Sequence, residues 1–109
     1  MSIQVASDKQ DYIDVIGSAQ FVVVEVFKET GKASSAVSAY MEQWAARERR
    51  VTFLRVPLTL VERDRATFNE VASAPAVCYF KNGTCVLEVL GNYTTSDWYE
   101  KKLTDAMDA

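Results

Sequence analysis

The sequence contains no histidine, and this absence removes several classes of site at once. A Ser-His-Asp triad, acid–base catalysis by an imidazole and most zinc sites all depend on that residue. No apolar run is long enough to span a membrane, and the N-terminus lacks the apolar stretch of a signal peptide. We therefore expect a cytoplasmic protein without a metal, a cofactor or a membrane partner.

Cysteine, proline and glycine are also scarce, at two, two and four residues. Two cysteines without a secretion signal favour reduced thiols. The net charge of −3 comes without a basic face, so nucleic acid is not expected as a partner. The densest basic run, residues 47–50, is typical of the last turn of a helix. With 49% hydrophobic residues in 109, the chain predicts one domain spanning residues 1–109.

The most informative stretch runs from Gln20 to Ser35. Residues 21–27 are almost continuously apolar and β-branched, which is typical of a strand buried on both faces of a parallel sheet. A polar break containing Gly31 follows, and the apolar period then becomes helical, with Ser34 or Ser35 as the expected N-cap. Such a strand–loop–helix junction is where α/β folds place many of their binding groups.

The rest of the chain alternates between strand and helix patterns, followed by a hairpin at Asn82-Gly83 and a closing helix. A capping box led by Ser7 predicts a first helix that Gly17 ends. The order βαβαβαββα predicts an α/β fold with a mixed sheet and helices on both faces. The expected elements are strands at 3–6, 21–27, 51–56, 76–80 and 85–90, and helices after residue 7, from 34 or 35 to about 49, within 62–70, and from 95 or 96.

The chain resembles the thioredoxin family over nearly its whole length. The likeness rests on the apolar strand that leads into Lys81-Asn82-Gly83, on Ala74-Pro75 before that strand, and on Gly91 after the last strand. The resemblance implies the thioredoxin fold, with a cis-proline at Pro75 beside the active site. It also implies a groove in which a partner's extended backbone lies against the residue before that proline.

This groove, by the same resemblance, is formed by two loops and the active-site segment. We expect it to include Ala74, Pro75, Gly91 and Asn92, with Thr30 and Gly31 beside them. Main-chain groups rather than cysteines hold the partner in this binding mode. A peptide groove and a vestigial groove both fit the sequence.

The chain departs from the family at the catalytic motif Trp-Cys-Gly-Pro-Cys-Lys. The gapless register puts Gly31 in place of the nucleophilic cysteine and Ser34 in place of the resolving one. Disulfide exchange needs a thiolate and a second thiol, and a serine hydroxyl without a base is a poor nucleophile. The resemblance therefore implies a degenerate active-site loop without dithiol activity, and dithiol enzyme activity is not expected. That loop comprises Thr30, Gly31, Lys32, Ala33 and Ser34.

Two companion positions are also assigned by the resemblance. Glu25 falls where thioredoxins bury an aspartate, and Arg55 falls where they place a lysine on the neighbouring strand. A lone glutamate between Val24 and Val26 would be costly to bury in its charged form. We therefore predict a buried Glu25–Arg55 ion pair with a structural role, since buried charges are normally paired.

The chain is also similar to the thioredoxin-like domain of phosducin-like proteins, through residues 27–31 and 51–56. That family binds protein partners and chaperonins rather than reducing disulfides. Its long helical N-terminal extension has no counterpart in this sequence, so no specific partner follows.

Cys78 and Cys85 remain the redox candidates. A two-residue turn would pair Phe80 with Cys85 and Cys78 with Leu87, leaving the thiols on one face as diagonal neighbours. Diagonal neighbours lie about 7–8 Å apart at Cα, beyond the usual disulfide spacing. No thiolate stabilisation is expected at either position, and both should pack as small hydrophobes.

Two functions stay open. The first is a redox-inactive protein-interaction module, acting as an adaptor, a chaperone-like factor or a complex subunit for an unidentified protein partner. The alternative is an atypical thiol oxidoreductase or glutathione-binding protein that uses Cys78 or Cys85. A weaker third hypothesis is a small-anion site at residues 31–35, because free N–H groups point outward at a helix start.

Overall fold

The computed structural model describes residues 3–28, 32–69 and 71–109, except for the side chains of residues 32–34. None of the helices in this described part is both long and apolar enough to cross a membrane. The elements are β1 (Gln4–Val5), α1 (Lys9–Ser18), β2 (Phe21–Phe27), α2 (Lys32–Arg47), β3 (Thr52–Pro57), α3 (Leu58–Val61), α4 (Arg65–Phe68), β4 (Ala76–Lys81), β5 (Thr84–Leu90) and α5 (Trp98–Met107).

The strands form a mixed sheet in the order β1-β3-β2-β4-β5. Strands β1, β3 and β2 are parallel, whereas β4 is antiparallel to both β2 and β5. Strand β2 therefore lies at the centre, and its register places Glu25 beside Arg55 on β3. The predicted α/β class with a mixed sheet is confirmed.

Helices cover both faces of the sheet, as predicted, and each face has its own apolar core. Val22, Val24 and Val26 point into the first core, which α1, α3 and α4 cover. Val23 points into the second core, which α2 and α5 cover. Strand β2 is thus buried on both faces, because its alternate side chains enter different cores.

The ends of α1 differ from the prediction. Asp8, not Ser7, is the N-cap, and its carboxylate accepts a hydrogen bond from the Asp11 N–H. The Ser7 hydroxyl and N–H instead donate to the Asp11 carboxylate, at 2.6 and 2.9 Å. Gly17 does not end the helix, which continues to Ser18. The predicted capping box led by Ser7 is therefore wrong: Asp8 caps the helix, and the Asp11 carboxylate accepts from Ser7 rather than from the N–H of the N-cap.

Helix α2 also has different bounds. It begins at Lys32, so Ser34 and Ser35 lie in its first turn and neither is the N-cap. It ends at Arg47 rather than Arg49, and residues 48–50 follow the helix. There the guanidinium of Arg50 binds both oxygens of Glu48, which lowers the pKa of Glu48 to about 2.

Two other helices were misjudged. The weak helix expected within residues 62–70 is instead the pair of short helices α3 and α4, and the Asp64 carboxylate caps the second by accepting from the Thr67 N–H. Helix α5 begins at Trp98 rather than near residue 95, and Trp98 is exposed instead of buried. The next residue, Tyr99, occupies the core position that the prediction gave to Trp98.

The hairpin turn is confirmed, but the register beyond it is not. Asn82 and Gly83 both have positive φ, as a type I′ turn requires. Phe80 pairs with Cys85 as expected, whereas Cys78 pairs with Glu88 and not with Leu87. A β-bulge causes this shift, because β5 contains one extra residue, Val86, opposite the step from Phe80 to Tyr79.

Candidate functional site

The predicted groove residues come together at one end of the sheet. Ala74 and Pro75 lead into β4, Gly91 follows β5, and the Gly91 N–H donates to the Pro75 carbonyl at 3.0 Å. The Ala74–Pro75 peptide bond is cis. Asn92 continues from Gly91, so the structure joins the two loops into one surface.

Part of the predicted site cannot be placed in the same way. Thr30 and Gly31 lie outside the described residues. Lys32, Ala33 and Ser34 are described only as the first turn of α2. That turn follows β2, whose Val26 pairs with Ala76 at the start of β4, so the degenerate loop connects elements at the groove end of the sheet.

An apolar patch that the sequence analysis did not identify borders this groove. It consists of Tyr93 and Trp98, which are 42% and 39% exposed, and the loop that carries Tyr93 follows Leu90, which is 52% exposed. Leu90 directly precedes Gly91. The Tyr93 ring lies 3.6 Å from the position that a Cβ on Gly91 would occupy, and its centroid is 6.0 Å from that of Trp98. Large exposed apolar side chains beside a groove are typical of a docking surface.

The loop that carries this patch is held by a buried tyrosine. The Tyr99 hydroxyl donates to the Gly91 carbonyl at 2.7 Å and accepts from the Tyr93 N–H at 3.1 Å. The side chain of Asn92 accepts from the N–H and hydroxyl of Thr94, at 3.0 and 2.8 Å. Burial raises the pKa of Tyr99, so the hydroxyl keeps its proton for the bond to Gly91. A loop held in this way loses little conformational entropy on binding.

The main chain of Ala74 is available for pairing. Within the part of the chain that the structure describes, no hydrogen bond engages the N–H or the carbonyl of Ala74. The residue is half-buried, next to Pro75, whose own carbonyl is occupied by Gly91. Unpaired backbone groups at such a position can pair with an extended partner segment.

The conformation of Gly91 provides a test of how this loop is built. Its φ is +107°, a region that side chains rarely adopt, so Gly91→Ala should lower the free energy of unfolding by about 1–2 kcal/mol. Gly17 is the matched control, because it lies inside α1 with nothing within 4 Å of an added Cβ. Gly17→Ala should raise the free energy of unfolding by about 0.5–1 kcal/mol. Urea denaturation measures both free energies of unfolding. A change in the same direction for the two variants would contradict the role given to the positive φ of Gly91.

Glu25 and Arg55 form a buried ion pair within a larger network. Arg55 Nε donates to Glu25 Oε1 at 2.8 Å, and its two terminal nitrogens donate to Glu42 Oε1 at 3.3 Å and to the Ser38 carbonyl at 3.1 Å. The Ser38 hydroxyl donates to the second oxygen of Glu25. Glu25 is 1% exposed and Arg55 14%. Ser38 and Glu42 were missed, since only the packing of α2 on the sheet brings them to β2 and β3.

The two cysteines lie on the opposite face of the sheet. Cys78 and Cys85 belong to the core covered by α1, α3 and α4, whereas Glu25 bonds to Ser38 on α2. Glu25 is therefore not positioned to act as a base for either thiol. Among the described residues, no group of three His, Cys, Asp or Glu side chains is arranged to hold a metal ion.

Both cysteines are free, but their environments differ. Cys78 is fully buried, and its hydrogen bond to Cys85 together with burial raises its pKa. Cys85 is half-buried, and the hydrogen bond from Cys78 outweighs burial and lowers its pKa. The expectation that neither thiolate is stabilised is therefore wrong for Cys85.

Comparisons with known proteins identify the fold. No protein-family model matches the sequence, and no curated protein matches it. Among solved structures, oxidised thioredoxin from Plasmodium falciparum is 18% identical, with a TM-score of 0.80 over 95% of this chain and 97% of that one. Mitochondrial thioredoxin 3 from Saccharomyces cerevisiae is 14% identical, with a TM-score of 0.79 over 94% of each chain. Thioredoxin f from spinach chloroplast is 18% identical, with a TM-score of 0.78 over 97% and 94%.

These likenesses extend over nearly the full length of both proteins in each comparison, and they confirm the predicted thioredoxin fold. At such low identities they establish the fold and not the activity. The similarity to phosducin-like proteins stays a prediction. The chain has the thioredoxin fold.

Proposed function

We propose that this chain is a redox-inactive protein-interaction module, serving as an adaptor, a chaperone-like factor or a subunit of a larger assembly. Its site is the groove of Ala74, Pro75, Gly91 and Asn92, and its ligand is an extended segment of a partner protein. The observation that carries the proposal is the main chain of Ala74, which has no hydrogen-bond partner among the described residues and lies next to an exposed apolar patch.

An extended ligand fits the two kinds of group that the groove presents. A strand-like segment offers N–H and carbonyl groups that pair with those of Ala74, which provides affinity for any sequence. Its side chains supply the selectivity, because a large apolar residue can pack on Tyr93 and Trp98. We therefore expect the partner segment to carry at least one aromatic or large aliphatic residue.

The absence of dithiol exchange at this groove follows from the groups around it. Gly31 and Ser34, at the positions of the family's two cysteines, supply no sulfur. The carboxylate of Glu25 is bonded to Arg55 and Ser38. The alternative of a thiol oxidoreductase would use Cys78 or Cys85, which lie in the core covered by α1, α3 and α4 and are not among the groove residues.

Selection of seven-residue peptides displayed on phage tests the binding proposal. The best selected peptide, made synthetically, should shift the amide resonances of Ala74, Gly91 and Trp98 when it is titrated into the labelled protein. Trp98→Ala should weaken its binding about tenfold or more, as expected for an aromatic anchor. Ile13→Ala is the matched control, because Ile13 is equally exposed at 37% but lies on α1.

Two results would overturn the proposal. One is selected peptides that bind Trp98→Ala as tightly as the unchanged chain, or that shift amides away from the groove. The other is reduction of a generic protein disulfide above the rate in buffer with dithiothreitol, which would contradict redox inactivity. Ile13→Ala should bind the selected peptide within about twofold of the unchanged chain.

A further inference from the structure

The Cys78–Cys85 pair takes no part in the groove or in the Arg55 network. The two residues lie on adjacent antiparallel strands, and their side chains enter the same core. Nothing in the binding proposal requires a thiol at either position. Two neighbouring free thiols on paired strands therefore need a separate explanation, which either packing or redox chemistry can supply.

The β-bulge determines how the two sulfurs face each other. Cys85 pairs with Phe80, and the next pair beyond the extra residue joins Leu87 to Tyr79. The Cys85 sulfur lies 3.7 Å from the Leu87 carbonyl. The Cys85 side chain is therefore directed along β5 toward Glu88, the residue that pairs with Cys78. The Cys78 and Cys85 side chains enter the same core from adjacent strands, and each thiol influences the pKa of the other, raising that of Cys78 and lowering that of Cys85.

The two thiols differ in access from solvent. Cys78 is 0% exposed, whereas Cys85 is half-buried and lies one residue after the start of β5. In the described sheet β5 is an edge strand, so no further strand covers Cys85 from its outer side. A dissolved reagent therefore has readier access to Cys85 than to Cys78.

We propose that Cys78 and Cys85 form a reversible redox couple, in which Cys85 is the attacking thiol, Cys78 is the resolving thiol, and a low-molecular-weight disulfide is the oxidant. This couple concerns the oxidation state of the chain's own two thiols and not the reduction of a partner's disulfide, so it does not depend on the proposed binding function and leaves the groove itself without redox chemistry. It assigns a modification site on the face of the sheet that α1, α3 and α4 cover.

The reaction proceeds in two balanced exchanges. Cys85 releases its proton, its thiolate attacks one sulfur of the small disulfide, and the first small thiolate leaves and takes up a proton. Cys78 then releases its proton and attacks the Cys85 sulfur, which forms the Cys78–Cys85 bond and expels the second small thiol. Two protein thiols are oxidised by two electrons, and one small disulfide is reduced to two thiols.

Formation of the Cys78–Cys85 disulfide requires a small movement of the backbone at the β-bulge. Diagonal neighbours in a regular ladder lie about 7–8 Å apart at Cα, slightly beyond the usual disulfide spacing. The bulge is the place where the β4–β5 ladder is already interrupted, so a shift of β5 there breaks few hydrogen bonds.

Mass spectrometry of the folded chain tests this couple, with hydroxyethyl disulfide as the oxidant at pH 7.5. The intact mass of the unchanged chain should fall by about 2 Da without a lasting adduct, because the second exchange expels the small thiol. Cys78→Ala should accumulate one mixed disulfide on Cys85. Cys85→Ala should react at least about tenfold more slowly, since the remaining thiol is buried.

Three outcomes would overturn the proposal: a stable adduct on the unchanged chain, equal reaction rates for the two cysteines, or the retention of both thiols. Circular dichroism checks that each variant is folded, and Cys78→Val replaces Cys78→Ala if the smaller residue unfolds the core. Peptide binding to the groove is measured separately, so failure of one proposal is distinguishable from failure of the other.

Discussion

Replacement of Arg55 by methionine should lower the free energy of unfolding by about 3–5 kcal/mol, because it leaves a buried carboxylate without its counter-charge. Glu25 is 1% exposed and, of its partners among the described residues, would keep only the hydroxyl of Ser38. Glu42 would lose the same guanidinium, although it is 33% exposed and water can replace part of that contact. Urea denaturation at pH 7 measures the change.

The comparison with a second arginine separates charge burial from a general effect of the substitution. Arg49 is exposed, and the described residues show no ion pair for it. Arg49→Met should therefore change stability by no more than about 0.5 kcal/mol. The double variant Glu25→Met/Arg55→Met should recover much of the loss, since it removes both buried charges. Equal losses in Arg55→Met and Arg49→Met would contradict the role of the pair.

Tyr12→Phe should lower the free energy of unfolding by about 1.5–3 kcal/mol at neutral pH, because it removes a hydrogen bond to a buried carboxylate. The Tyr12 hydroxyl donates to Asp64 Oδ2 at 2.6 Å, between α1 and the segment that joins α3 to α4. Asp64 is 5% exposed, and the one cation near it in the described part of the chain is Lys9, at 3.7 Å, which is mostly in solvent. Little else in the described chain stabilises this charge, apart from the Thr67 N–H.

The effect of Tyr12→Phe should depend on pH in a definite direction. Burial raises the pKa of Asp64, but the hydrogen bonds from Tyr12 and Thr67 outweigh it and leave the pKa below the ordinary value. A lowered pKa in the folded state contributes stability above the unfolded pKa, and that contribution is lost as the pH falls through the folded value. The difference between the two proteins should be full at pH 7 and shrink below about pH 4.

Tyr93→Phe is the control for this experiment. Tyr93 is 42% exposed, so the loss of its hydroxyl leaves no buried group unpaired. Its stability should stay within about 0.5 kcal/mol of the unchanged chain at every pH. A Tyr12→Phe loss that is constant from pH 7 to pH 3 would show that Asp64 is not the group involved.

The Arg55 network also explains how a thioredoxin fold remains stable without its dithiol. A buried acid on the central strand needs partners whether or not a thiol lies above it. Here Arg55 and Ser38 satisfy both oxygens of Glu25, and no buried side-chain polar atom in the described chain lacks a hydrogen bond. The groove at the same end of the sheet is built separately, from Pro75, Gly91 and Tyr99, so its shape does not depend on cysteine chemistry.

Local pattern alone determined the larger part of the fold. The apolar run at 21–27 predicted β2 with its bounds, because a strand buried on both faces is almost continuously apolar. Asn82-Gly83 predicted the hairpin turn, since few residues other than Asn and Gly adopt positive φ easily. The pairing of Glu25 with Arg55 was predicted through the resemblance to thioredoxins, which places the two residues on neighbouring strands, together with the need of a buried charge for a counter-charge.

Only the tertiary structure decided the features on which function depends. The bulge at Val86 makes Glu88 the partner of Cys78 instead of the predicted Leu87. The position of an extra residue in a strand depends on how both faces of the sheet pack, so it leaves little signal in the local sequence. Trp98 was predicted in the core but lies at the surface, because Tyr99 occupies the buried position and hydrogen-bonds to Gly91. The sequence by itself determined which elements form and where the dithiol is missing. The packing of those elements against one another decided which side chains meet, because contacts between distant segments depend on long-range geometry that no local pattern encodes.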